Sequence, residues 1–135
     1  MDYEVLAGLY DRLIDIDYDK LVEFYEKMFD KYLNKRPKLV LDLACGTGNV
    51  SMRLSEKGYD VTGVDVSEEM LAVAKRKSDI LFICQDMTQL DLYGTYQAAV
   101  CALDGVNHLL SEDEVESFFK RLWYFIEPNG VFIFD

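Results

Sequence analysis

Hydrophobic and polar positions along this chain switch between two periods. Between residues 20 and 33, Leu21, Phe24, Tyr25, Met28, Phe29 and Tyr32 recur at spacings of three and four, and Lys31, Lys35 and Arg36 gather at the end of the stretch. That is the pattern of an amphipathic helix whose last cations suit the negative end of its dipole. After Pro37 the period changes: Leu39-Val40-Leu41-Asp42-Leu43 is a β-rich run that stops at Ala44-Cys45-Gly46-Thr47-Gly48, which predicts a strand feeding a glycine loop. Val50 to Lys57 then reads as a helix closed by Gly58, and Asp60 to Val64 as a second strand. Ser67 with Glu68 and Glu69 predicts the start of a helix running to about Lys75, since the hydroxyl can cap orphan amides and the carboxylates suit the positive end of the dipole. Ile80 to Cys84 and Ala98 to Leu103 are apolar throughout, as strands buried on both faces are. Ser111 and Glu114 stand at a capping-box spacing. The helix they open turns Val115, Phe118, Phe119, Leu122 and Phe125 or Ile126 inward and ends at Pro128-Asn129-Gly130, before a last strand, Val131 to Phe134.

Strands alternating with helices imply an α/β fold with a parallel, doubly wound sheet and right-handed crossovers. In such a sheet ligands bind outside the carboxyl ends of the strands, where the strand order reverses. Asp42, Asp65, Asp86 and Asp104 follow the first four strands at separations of 23, 21 and 18 residues, about one βα unit each. One acid after a strand is often a helix cap or a turn former; four in succession point to a shared site.

Composition narrows the class of ligand. The 135 residues are 50% hydrophobic and 29% charged, which suits one folded core and not a disordered chain. The 25 acidic against 14 basic side chains, a net charge of −11, repel phosphate backbones, so bulk nucleic-acid binding is disfavoured. The longest apolar run, Ala98 to Leu103, is far shorter than the roughly 20 residues that span a bilayer. Met1-Asp2-Tyr3-Glu4 is acidic where a secretory signal would be basic and then apolar, so a cytoplasmic location is expected. Cys45, Cys84 and Cys101 form no Cys-x-x-Cys, and His108 is the lone histidine; no metal set or disulfide framework is expected, and the thiols read as small buried hydrophobes.

The glycine loop admits two better-known comparisons. A phosphate-binding P-loop requires Gly-Lys-Ser/Thr, whereas Gly48 is followed by Asn49-Val50. A dinucleotide fingerprint is closer: Gly46-x-Gly48-x-x-Ser51 departs from G-x-G-x-x-G only at the third position, and Asp65 lies 19 residues after Gly46. Asp42 separates the readings, because a carboxylate at the mouth of the first strand repels a pyrophosphate and cannot donate to it. The same group attracts a ligand that carries an ammonium and a sulfonium. No tyrosine here has Lys four residues on, as a short-chain dehydrogenase would.

These residues resemble the class I S-adenosylmethionine-dependent methyltransferases, in particular the small bacterial type. Val40 to Gly48 looks like the first motif of that family, and Gly63-Val64-Asp65-Val66-Ser67-Glu68-Glu69-Met70-Leu71 like its second. Gln85-Asp86-Met87 and Cys101-Ala102-Leu103-Asp104-Gly105-Val106-Asn107-His108-Leu109 resemble the third and fourth. The resemblance implies a Rossmann-like, three-layer α/β/α core over residues 37–135 with a helical cap at 1–36, the two forming one structural domain. It implies S-adenosyl-L-methionine as cofactor and a small-molecule methyl acceptor as partner, with no membrane partner.

The implied roles can be justified one by one. Gly46 and Gly48 let the backbone approach the methionine part of the cofactor, alongside Ala44, Cys45 and Ala102. Asp42 holds the ammonium, directly or through water, and Asp65 accepts from both ribose hydroxyls. Val66 and Met70 pack on the adenine, Asp86 accepts from its exocyclic amine, and Met87 covers the other side of the ring. Ala7-Gly8-Leu9-Tyr10-Asp11 is similar to the start of the small bacterial enzymes, where Tyr10 lies near the methionyl end; the alternative is that the N-terminal tyrosines only pack the first helix. Methyl transfer is an in-line displacement that needs alignment and exclusion of water, and a general base only if the acceptor is protonated. Asp104 and His108 are candidates for that base. The family sheet has seven strands, the last two an antiparallel hairpin, and this chain stops at its fifth. The expectation is therefore a fragment or truncated form that keeps much of the cofactor site, with weak turnover or none, and self-associates through an exposed fifth strand.

Overall fold

The computed structural model describes residues 17–102 and 110–134. Its elements are α1 (Tyr18–Tyr32), β1 (Leu39–Leu43), α2 (Asn49–Glu56), β2 (Asp60–Asp65), α3 (Glu68–Lys77), β3 (Leu81–Cys84), a single 3-10 turn (Met87–Gln89), β4 (Tyr96–Cys101), α4 (Glu112–Trp123) and β5 (Ile126–Phe134). All five strands run parallel in the order β3-β2-β1-β4-β5. The chain winds outward from β1 in one direction and from β4 in the other, so the carboxyl ends of β1 and β4 flank the point of reversal. This is the parallel, doubly wound sheet expected from the alternation of periods and the Rossmann-like arrangement that the resemblance implies.

Alternate residues of the strands serve opposite faces, and both faces are covered along β1, β2 and β4, whereas β3, expected to be buried on both faces, exposes Leu81 and the Cys84 thiol because it borders the sheet with β2 as its neighbour. Leu41, Leu43, Val64, Ala99 and Cys101 pack beneath Phe118 and Leu122 of α4 and Met87 of the 3-10 turn. Val40, Val61, Ala98 and Val100 pack on the other face against Val22, Tyr25 and Phe29 of α1 and Val50 and Leu54 of α2. Leu71 and Ala74 of α3 close over Phe82 of β3. The start of α1 is set by Asp17, which accepts from Lys20 N, and that of α3 by Ser67, which accepts from Met70 N at 3.2 Å.

Three boundaries and faces differ from the periodicity reading. The buried face of α1 is Val22, Tyr25 and Phe29, while Phe24 and Tyr32 point to solvent. Lys35 and Arg36 lie beyond the helix end; the Arg36 guanidinium stacks over the Tyr59 ring at 4.1 Å, and Tyr59 donates to Glu26 at 2.8 Å, tying α1 to the α2–β2 connection. At the other end α4 stops at Trp123, and β5 begins at Ile126, ahead of Pro128-Asn129-Gly130. Tyr96 pairs with Ile126 and Ala98 with Val131, so the expected turn is a bulge within the strand. Asn129 takes a left-handed φ of 66° there, and a Cβ on Gly130 would stand 2.9 Å from two carbonyl oxygens. Sequence periodicity misses such a bulge because the paired residues on its two sides belong to one strand only through their partner β4.

Candidate functional site

The loop after β1 is built from left-handed residues: Ala44 at φ 52°, Gly46 at 56° and Gly48 at 85°. For glycine this costs little, whereas for Ala44 it stores about 1 kcal/mol or more of strain, held by the surrounding contacts. Cys45 N donates to Val64 O at 3.0 Å, and Gly48 N donates to Cys45 O at 3.0 Å. Asp65 completes the fastening: its Oδ2 accepts from Gly46 N at 2.8 Å and its Oδ1 from Ser67 N at 2.9 Å. One carboxylate at the end of β2 thus binds both the glycine loop and the start of α3. Gly48 is the N-cap residue of α2 and supplies no side-chain cap.

Asp42 is 1% exposed and accepts from Ser51 Oγ at 2.6 Å. Burial, outweighing the Ser51 hydroxyl and reinforced by the charge of Asp65, pushes its pKa up to about 7. Cys45, mostly enclosed beside the same two acids, has its thiol pushed far up, so it stays protonated and is no nucleophile.

Ala44, Val64, Asp65, Val66, Gln85, Asp86, Met87, Leu110 and Glu114 line a cleft of about 150 Å³ at the carboxyl ends of β1, β2 and β3. Five of the residues singled out from the sequence therefore meet there: Ala44, Asp65, Val66, Asp86 and Met87. Gly46, Gly48 and Cys45 form the adjoining loop, Met70 stands in the first turn of α3, and Asp42 lies beneath in β1. Ala102 directly follows β4 and packs toward the α1 side of the sheet. Asp104, His108 and Tyr10 lie outside the described residues. Val64, Gln85, Leu110 and Glu114 were missed as lining residues. Glu114 had a legible signal only as a helix cap, and Leu110 had none. A wider, open hollow of about 850 Å³ lies at the amino ends of the strands, among Asp60, Ser78, Thr95 and Glu127, away from the glycine loop and the acids after the strands.

Comparison with known proteins shows the family. A family model for a methyltransferase domain matches residues 40–130. Over 141 aligned residues the chain is 37% identical to a methyltransferase-named protein of Geobacillus sp. (strain WCH70), covering 100% of this chain and 57% of that one. It is 35% identical to the glycine/sarcosine N-methyltransferase of Halorhodospira halochloris, covering 98% and 53%. Among solved structures, an S-adenosylmethionine-dependent methyltransferase from Clostridium acetobutylicum ATCC 824 superposes with a TM-score of 0.85 at 34% identity, over 98% of this chain and 56% of that one. The chain spans about half the length of these relatives. Matched by this family model over residues 40–130 and by these relatives over 98% or more of its length, the chain belongs to the class I S-adenosylmethionine-dependent methyltransferases.

Proposed function

We propose that this chain carries the cofactor site of a methyltransferase acting on a small molecule, with S-adenosylmethionine laid across the carboxyl ends of β1 and β2. The observation that carries the reading is Asp65, which fastens Gly46 at 2.8 Å while lining the cleft. Each oxygen of a carboxylate has a second lone pair, so Asp65 can hold the loop and still accept from ribose hydroxyls. Val66, 64% exposed, offers an apolar face to the adenine beside Met70, with Met87 opposite. Asp86 serves the exocyclic amine. Gly46 and Gly48, with Ala44, Cys45 and Ala102, border the methionyl part, and Asp42 answers its ammonium from below. These residues bind and orient the cofactor and keep water from the sulfonium; the displacement itself requires no nucleophile from the protein.

For the acceptor, the charge of −11 argues against a nucleic acid, and the glycine/sarcosine relative makes a small amine the first class to test.

Calorimetric titration with S-adenosylmethionine, its demethylated product and NAD, in the wild type and Asp65→Ala, tests the cofactor site. Micromolar binding of either methionine-derived ligand, absent for NAD and lost in a folded variant, is the expected result. A folded wild type that binds neither overturns the reading. Turnover with an amine panel tests the acceptor class.

A further inference from the structure

Asp42 and Ser51 make a buried polar pair between β1 and the first turn of α2. Ser51 lies between Val50 and Leu54 on the buried face of that helix, where a hydroxyl is costly unless it is bonded. Its bond is to Asp42 Oδ2 at 2.6 Å, the short separation of a hydroxyl on a charged acceptor. An ionised carboxyl has no proton to give, so the Ser51 hydroxyl is then the donor. The backbone N–H of Ser51 supports the same carboxyl.

The other surroundings of Asp42 work against its charge. Its neighbours across the strands are Gly63 of β2 and Val100 of β4, which have no side-chain donor. Asp65 at the end of β2 adds a like charge, and the Cys45 thiol stays neutral. On the helical side, Arg53 of α2 is engaged with Asp19 of α1 at 3.0 Å, and Tyr25 of α1 is buried in the apolar cluster. Among the described residues, Ser51 is the one whose side chain donates to Asp42.

Resting on the cofactor reading above, we propose that Ser51 is a positioning residue: its hydroxyl keeps the Asp42 carboxyl ionised and fixed in place for the ammonium end of the cofactor. Ser51 acts through Asp42 and touches no ligand itself. Each carboxylate oxygen has a second lone pair, so the bond to Ser51 leaves Asp42 able to accept from an ammonium, directly or through water. The hydroxyl bond favours the charged form, so its removal raises the pKa of Asp42 above the value of about 7. The acid then keeps its proton through the neutral range, and a cation gains less from it.

Ser51→Ala removes the hydroxyl and leaves the backbone N–H in place. The probe is the demethylated cofactor product, which retains the ammonium. It is titrated calorimetrically between pH 6 and pH 9 into wild type, Ser51→Ala, Asp42→Asn and the double variant. The carbon-13 resonance of the Asp42 carboxyl is followed over the same range without ligand. In Ser51→Ala that resonance is expected to titrate about one pH unit higher than in wild type, the scale of one bond to a charged group. Affinity should be about fivefold lower at pH 7, with the gap closing by pH 9. In the Asp42→Asn background, Ser51→Ala should change affinity at no pH. An Asp42 titration that Ser51→Ala leaves unmoved overturns the proposal while the cofactor reading stands. So does a loss of affinity equal at every pH, or one that persists in the Asp42→Asn background, because a merely structural role would produce it. A folded wild type that binds no ligand overturns both.

Discussion

Asp42 is a carboxyl group enclosed in β1 with a hydroxyl 2.6 Å away and a second acid, Asp65, close enough to be felt. Because its folded pKa of about 7 lies above the ordinary 3.8, the folded state binds this proton more tightly than the unfolded chain does. Its contribution to stability is therefore complete below pH 3.8 and lost as the pH rises through about 7. Asp42→Asn should remove that loss and raise stability at pH 8 by on the order of 2 kcal/mol, measured by urea unfolding at several pH values. Ligand binding should run the other way: a cation beside Asp42 favours its charged form, so affinity for S-adenosylmethionine should increase between pH 6 and pH 8 in the wild type and stay flat in the variant. A pH-independent wild-type affinity would remove Asp42 from contact with the ammonium. The 19-residue interval from Gly46 to Asp65 was legible as a spacing, but not the hydrogen bond from Gly46 N that closes it. Ser51 was not, since along the chain it counts only as a mismatch to a glycine fingerprint, whereas in space it is Asp42's donor.

Elements meet through Gly63 in β2. A Cβ there would stand 2.5 and 2.7 Å from the Phe82 ring and 3.0 Å from Cys45 Sγ, so its absence lets Phe82 cross β2 and support the glycine loop from beneath. Gly63→Ala is expected to cost about 2 kcal/mol or more through this overpacking. Gly46→Ala meets nothing within 4 Å and bears only the left-handed strain at φ 56°, about 1 kcal/mol, so it should unfold almost as the wild type does while losing cofactor affinity. Equal unfolding midpoints for the two variants would refute the packing argument. The α4–β5 boundary shows the complementary limit. Phe125 and Ile126 continue the helical spacing of Phe118 and Leu122, yet Phe125 O accepts from Tyr96 N at 2.8 Å and draws the chain into the sheet. A partner about 30 positions away in the chain decided between helix and strand there.

At the scale of the molecule, β5 borders the described sheet with β4 as its one neighbour. Phe132 and Phe134 stack at 5.0 Å against Phe119, and Phe119 and Phe134 remain 39% and 47% exposed. An apolar edge of this kind should make the purified chain self-associate, with a sedimentation coefficient that climbs with concentration and falls back in Phe134→Lys; a monomer throughout the range would count against it. The alternation of periods, the glycine loop, the acids after the strands and the caps at Ser67 and Ser111 were all readable in the chain, because each depends on residues within a turn or two of one another. The strand order β3-β2-β1-β4-β5, the burial of Asp42, the bulge in β5 and the arrival of Leu110 and Glu114 beside Asp65 and Asp86 belong to the folded state alone. They are set by packing and pairing between segments tens of residues apart, about which local periodicity carries no information.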